Sequence, residues 1–312
     1  MLKNKISLLI TILLSILLVL LVPGCKEQAA SEETNALVAK TPGAQVLSQQ
    51  ELQQILTDSI LAVKNASTFK YALNMNMNVE ATGGSEPGKM AITIKSSGAA
   101  DIVAKQMQMV FDMSLNKNTF GTEESTENLS AEMYMMPDYV YMKMNIPGLG
   151  EQWIKMPLSE ELKELYNLDM INEQLAPLES PAKIEFVKYE TFDGSECYVL
   201  KIVPNMESMK QWIDQQQMTP AELDLDKLTN LQDMFKELSY ITWIAKDTKL
   251  MKKMNFTMLL EIDASQVSAT VSDFEKMSLD ADLDMIIQNY NEPVSIILPE
   301  EANQAMEIPQ PE

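Results

Sequence analysis

Between Phe69 and Val79 the chain reads FKYALNMNMNV, with Phe69, Tyr71, Leu73, Met75, Met77 and Val79 at every second position. Lys70, Asn74, Asn76 and Asn78 fill the alternate positions, and Ala72 is the one apolar exception. Successive side chains on a strand point to opposite faces, so this spacing predicts a strand with one apolar and one wet face. The pattern returns in Met107, Met109, Phe111, Met113 and Leu115, in Val140, Met142 and Met144, and in Phe256, Met258, Leu260 and Ile262.

Turn residues separate these runs. Gly83-Gly84 with Pro87-Gly88, then Pro137-Asp138, Pro147-Gly148 and Asp193-Gly194, read as hairpin connections. Expected strands are Met90–Ile94, Ala99–Leu115, Glu127–Met136, Tyr139–Met144, Gln152–Met156, Ile184–Thr191, Cys197–Val203, Tyr240–Ala245, Leu250–Ile262 and Val267–Ser278, with Pro293–Leu298 closing. Sequential hairpins at this spacing imply an antiparallel meander. Helical spacing interrupts it three times. Ser48 and Glu51 form a capping box ahead of Leu52, Ile55, Leu56, Ile60 and Val63. Ser159–Leu175 is a second amphipathic stretch, and Glu207–Lys236 a third, split at Thr219-Pro220.

The first residues place the domain in the cell. Lys3 and Lys5 precede an apolar run from Ile6 to Val22, followed by Pro23-Gly24-Cys25. A basic start, an apolar core and a small residue at the cut make a secretory signal. Cys after Gly24 fits a lipobox, which predicts residues 1–24 as a signal peptide and Cys25 as a lipidated first residue anchored to the membrane. The alternative is an uncleaved anchor, although the run is short of the about 20 residues a spanning helix needs. Residues 25–46 are polar and small and read as a flexible tether to a domain over 47–302, with residues 303–312 as a loose acidic tail.

Charge and composition remove whole classes of function. The net charge is −21 and every basic residue is Lys, a balance that repels nucleic acid. The chain has no His, and Cys25 and Cys197 are its two cysteines. Ser-His-Asp and Cys-His catalysis and a conventional zinc site are therefore excluded. No cofactor is expected. Asp280, Asp282 and Asp284 resemble the start of a calcium loop, but Met285 stands where Gly is wanted and Asn291 where Glu is wanted, so they read as solvated turn charges.

The 24 Met residues fall largely on the apolar positions of expected strands. Met is flexible and re-packs, so it serves either as core filler or as a deformable surface for ligands of varied shape. Copper binding through thioethers would want Met clustered in a loop with His or Cys nearby. As a ligand-lining set, Met75, Met77, Met107, Met109, Met113, Met142 and Met144 are the candidates on the sheet, with Trp212 and Phe235 facing them from the helical block that covers it.

The order of elements carries a resemblance. The strand in NASTFKYALNMNM, the segments YVYMKM and QWIKM, the hairpin ITWIAKDTKLMKKM and the closing YNEPVSIILPEEA, behind a lipobox, tether and helix, are similar to the LolA-like lipoprotein superfamily, in particular its mycobacterial LppX/LprG type. That resemblance implies an α+β fold, an incomplete, strongly curved antiparallel β half-barrel with helices packed in or over its concave face. It also implies an apolar ligand, an acyl-chain lipid, carried in the cavity without catalysis. The alternative expectation is an envelope interaction or sensing module, with a protein partner, whose sheet is filled by its own helices.

Overall fold

In the computed structural model the first element, α1 (Gln49–Lys64), starts at the expected cap. The Glu51 N–H donates to Ser48 Oγ at 3.2 Å, and the Ser48 N–H donates to Glu51 Oε2 at 2.7 Å. The Ser48 N–H, and then the Ser48 hydroxyl that donates to the same oxygen at 2.8 Å, hold the Glu51 carboxyl below its ordinary pKa. One stripe of α1 is buried: Leu52, Ile55, Leu56, Ser59, Ile60 and Val63. The structure describes residues 47–84, 87–119, 125–146, 150–158, 176–208, 234–266 and 274–308. The expected signal peptide, Cys25, the tether, the Ser159–Leu175 helix and residues 209–233 with Trp212 lie outside them.

Six strands follow α1 as consecutive hairpins: β1 (Thr68–Thr82), β2 (Gly88–Asp101), β3 (Gln106–Thr119), β4 (Ser125–Met135), β5 (Tyr139–Ile146) and β6 (Gly150–Pro157). After the short α2 (Ala176–Glu179), a second meander runs through β7 (Pro181–Phe192), β8 (Ser195–Pro204), β9 (Phe235–Ala245), β10 (Met251–Asp263) and β11 (Lys276–Gln288). A last strand is β12 (Met306–Glu307). All belong to one open sheet in the order β12-β6-β5-β4-β3-β2-β1-β11-β10-β9-β8-β7. The two meanders are joined where β1 pairs with β11, from Lys70 opposite Gln288 to Thr82 opposite Lys276. The sheet is antiparallel except at β12, which runs parallel to β6. It is a curved half-barrel whose inner face is the one covered by α1.

Alternation decides that inner face. The odd positions of β1 from Leu73 to Ala81, those of β11, and the even positions of β10 from Met254 to Ile262 are buried, and they join the apolar stripe of α1 in one core. Met75 and Met77 are 0 % exposed within it. A smaller apolar cluster of Cys197, Val199, Trp243 and Ala245 packs on the outer face.

Five expectations need correction. The strand expected over Ala99–Leu115 is two: β2 continues to Asp101, and Ile102–Lys105 turn, with the Ala104 N–H donating to Asp101 Oδ1 and Lys105 at φ 54°. The small residues Ser96, Ser97 and Gly98 do not end β2, because the Tyr71 ring occupies the space above Gly98. Asp280, Asp282 and Asp284 are not in a turn. They line the outer face of β11 while Leu279, Ala281, Leu283, Met285 and Ile287 fill the core. Phe235 is not in a helix; it begins β9, opposite Leu260 of the long β10, whose backbone groups need a partner there. Finally, no closing strand forms over Pro293–Leu298, and residues 303–308 are not a loose tail. Residues 300–304 make a 3-10 turn with Ala302 fully buried, and β12 then pairs with Ile154–Lys155, satisfying part of the β6 edge.

Candidate functional site

The register of the first meander builds a face of thioethers. Met109 stands opposite Met133, Met133 opposite Met142, Met142 opposite Ile154, and Ile154 beside Met306. The next row is Met107, Met135, Val140 and Met156. On the other side lie Phe111, Ala131 and Met144, and then Met113 with Leu129. Directly opposed residues of a ladder share a face, and neighbouring strands are about 4.8 Å apart, so the first two rows are continuous apolar strips about 14 Å wide from β3 to β6, while the third ends at Gln152 on β6.

The seven Met residues expected on one face do share it, because β1, β2 and β3 pair without a slip: Met75 opposite Ile94, Ile94 opposite Met113. Their environments divide them. Met75 and Met77 belong to the filled core and border no open space in this form. Met107, Met109, Met113, Met142 and Met144 are half-buried. Phe235 is half-buried and packs on the core from β9. Met133, Met135 and Met156 complete the face and are absent from the sequence-based set. The alternation of Met133 and Met135 in AEMYMM was the signal that could have found them.

The electrostatics of this face are plain. Among the described residues of β3–β6, charge enters the inner face only at its far end, where Lys117 and Glu127 pair at 3.0 Å. The outer face carries the polar groups. Gln108 donates to Tyr134 Oη at 3.0 Å, and Tyr134 Oη donates to Glu132 Oε1 at 2.7 Å. Burial first, and then the Glu132 carboxylate, push the Tyr134 phenol up to about 12. Burial also raises the Cys197 thiol, leaving it a poor nucleophile. Among the described residues no group of His, Cys, Asp and Glu side chains is placed to hold a metal ion.

Two hydroxyls break the apolar chemistry of the core. Ser59, in the centre of the buried stripe of α1, and Thr242, on the inner face of β9, are each 0 % exposed and find no hydrogen-bond partner among the described residues. Thr242 sits between Leu200 of β8 and Met254 of β10.

Fold and face together define an open β half-barrel with an apolar, Met-rich inner surface. The chain belongs to DUF6612, a family of unknown function, whose pattern matches residues 51–307. A comparison with proteins of curated function gives no match. Among solved structures, the chain is similar to the crystal structure of LprF from Mycobacterium bovis, with 13 % identity and a TM-score of 0.42 over 80 % of this chain and 98 % of that one. It is also similar to the Mycobacterium tuberculosis lipoprotein LppX, with 11 % identity and a TM-score of 0.39 over 80 % of this chain and 100 % of that one.

Proposed function

We propose that this protein is a lipid-anchored, extracytoplasmic, non-enzymatic binding protein of the LolA-like kind that takes an acyl-chain ligand against its Met face. The observation that carries the reading is the contiguous, half-buried set Met107, Met109, Met113, Met133, Met135, Met142, Met144 and Met156 on one side of β3–β6. A packed core favours Leu, Ile and Val, whereas polarizable, unbranched Met accommodates partners of varied shape. An acyl chain laid there gains about 0.8 kcal/mol per buried CH₂ before ordering costs. The anchor is Cys25, from the Lys3/Lys5 start and the Gly24-Cys25 pair.

The test is displacement of an environment-sensitive fatty-acid probe. Met109 and Met142 lie in one row separated by Met133, so Met109→Trp with Met142→Trp fills the strip. The double variant is expected to bind the probe at least tenfold more weakly with little change in melting temperature. Equal, weak binding by wild type and variant, with no co-purified lipid, overturns the reading in favour of a packed interaction module. The anchor is tested apart: Cys25→Ser is expected to release the protein from the detergent phase or leave an unprocessed precursor.

A further inference from the structure

The opposite wing of the half-barrel carries a second cluster at the same end of the same face. A β-bulge between Phe186 and Lys188 shifts the β7 register. It turns both Phe186 and Tyr189 onto the inner face, where unbroken alternation would separate them. Their ring centroids are 4.7 Å apart, and Tyr189 lies 5.7 Å from Tyr198, which stands directly opposite it on β8. Tyr198 in turn stands opposite Ile244, a fully buried member of the main core.

The β9–β10 turn places two cations over this aromatic ladder. Lys246 Nζ is 3.8 Å from the Tyr189 ring centre and 5.6 Å from that of Tyr198, and Lys249 Nζ is 5.4 Å from the Tyr198 centre. The turn is fixed from within. The Lys249 N–H donates to the Ala245 carbonyl at 3.0 Å, Lys249 adopts φ 61°, and its ammonium donates to the Lys246 carbonyl at 2.8 Å. The carboxylate paired with Lys246 is Glu196, at a loose 3.4 Å and largely exposed, so it is displaceable by water or by a stronger anion.

Register sets the relation to the Met face. Tyr198, Ile244 and Met251 face one another across β8–β10, and Ile287, Tyr71, Gly98 and Met109 do so across β11–β3, at the same end of the sheet. Curvature brings the two wings of a half-barrel to face each other across its opening. We infer that Lys246 and Lys249, above Tyr189 and Tyr198, form a subsite for a phosphate group, so that the ligand is an amphiphile with its chain on the Met face and its phosphate at this rim. Two independent ammonium point charges suit the several oxygens of a phosphate, which Lys binds without a fixed fork geometry. This inference rests on the apolar-ligand reading for the chain half of the ligand but stands on its own residues for the phosphate half.

The experiment compares dodecyl phosphate with 1-dodecanol, which share one tail, on the wild type and on Lys246→Gln with Lys249→Gln. Wild type is expected to bind dodecyl phosphate at least tenfold more tightly, and the double variant to lose that preference while its dodecanol affinity stays within twofold. No preference in the wild type, or a preference that survives the double substitution, overturns the subsite. If neither amphiphile binds the wild type, the apolar-ligand reading falls and inorganic phosphate decides the subsite. Shifts of the Tyr189 and Tyr198 ring resonances with millimolar phosphate, lost in the double variant, keep it as a site for free phosphate. Unshifted resonances overturn it.

Discussion

The Tyr71 ring lies on Gly98 across the β1–β2 ladder, so close that a Cβ built on Gly98 would meet Tyr71 Cε1 at 2.8 Å and the Gln108 carbonyl oxygen at 2.3 Å. An aromatic ring laid over a strand glycine shields backbone that would otherwise be left bare. It also links the two wings, because Tyr71 pairs with Ile287 of β11 on one side and Gly98 with Met109 of β3 on the other.

Gly98→Val is therefore expected to destabilise the fold by about 3 kcal/mol, since backbone rather than a flexible side chain must yield. The urea midpoint should fall with little change in slope. A midpoint shift under a tenth of that size would show that the ring moves aside freely.

Thr242→Val should do the reverse. The side chains are nearly isosteric, and the buried Thr242 hydroxyl has no partner among the described residues. Removing it is expected to stabilise by about 1 kcal/mol and raise the melting temperature. A loss of stability would reveal a hydrogen bond or an ordered water at that site.

The C-terminal strand protects a sheet edge. The Ile308 N–H donates to the Lys155 carbonyl at 2.9 Å, and Lys155 pairs with Glu307 at 3.0 Å. The ion pair is exposed, and Glu307→Gln should cost no more than about 0.5 kcal/mol. A chain ended after Pro299 keeps the β5–β6 ladder but bares the outer edge of β6 at Ile154–Lys155, and is expected to self-associate, seen as a concentration-dependent sedimentation coefficient. A strictly monomeric truncation would place the edge protection elsewhere.

Alkaline stability follows from the buried phenols. Tyr134 is raised to about 12, and burial raises Tyr71, Tyr240 and Tyr290 as well. A folded pKa above the unfolded value of about 10 means that the neutral phenol is favoured by folding. That stability is complete below about pH 10 and is lost as pH rises through 12. The melting temperature should fall across this window, and Tyr134→Phe should flatten the fall. Tyrosinate absorbance complete by pH 11 would refute it.

The local elements were legible because a strand or helix writes its own periodicity. Ser48 and Glu51 announced α1, the alternation at 69–79 announced β1, and Asp193-Gly194, with φ 47° and 73°, announced the β7–β8 hairpin. The alternation within Met107, Met109 and Met113, and within Met142 and Met144, announced one apolar face on each of those strands. The sequence alone also determined the wet outer face, the absence of His chemistry and the acidic charge. Tertiary structure decided the rest. Whether an apolar position is core or surface depends on what lies opposite, so it took α1 and the β1–β11 junction to bury Met75 and Met77 while leaving Met109 and Met142 half-open. The run from Leu279 to Ile287 alternates as cleanly as β1, yet its aspartates read as turn charges until the β1 and β10 ladders placed them outward. The bulge that aligns Phe186 with Tyr189 exists only in the ladder with β8, and Lys246 reaches Tyr189 and Tyr198 from a turn distant in sequence. No local pattern encodes them, because the energy that selects them exists only once the strands have paired.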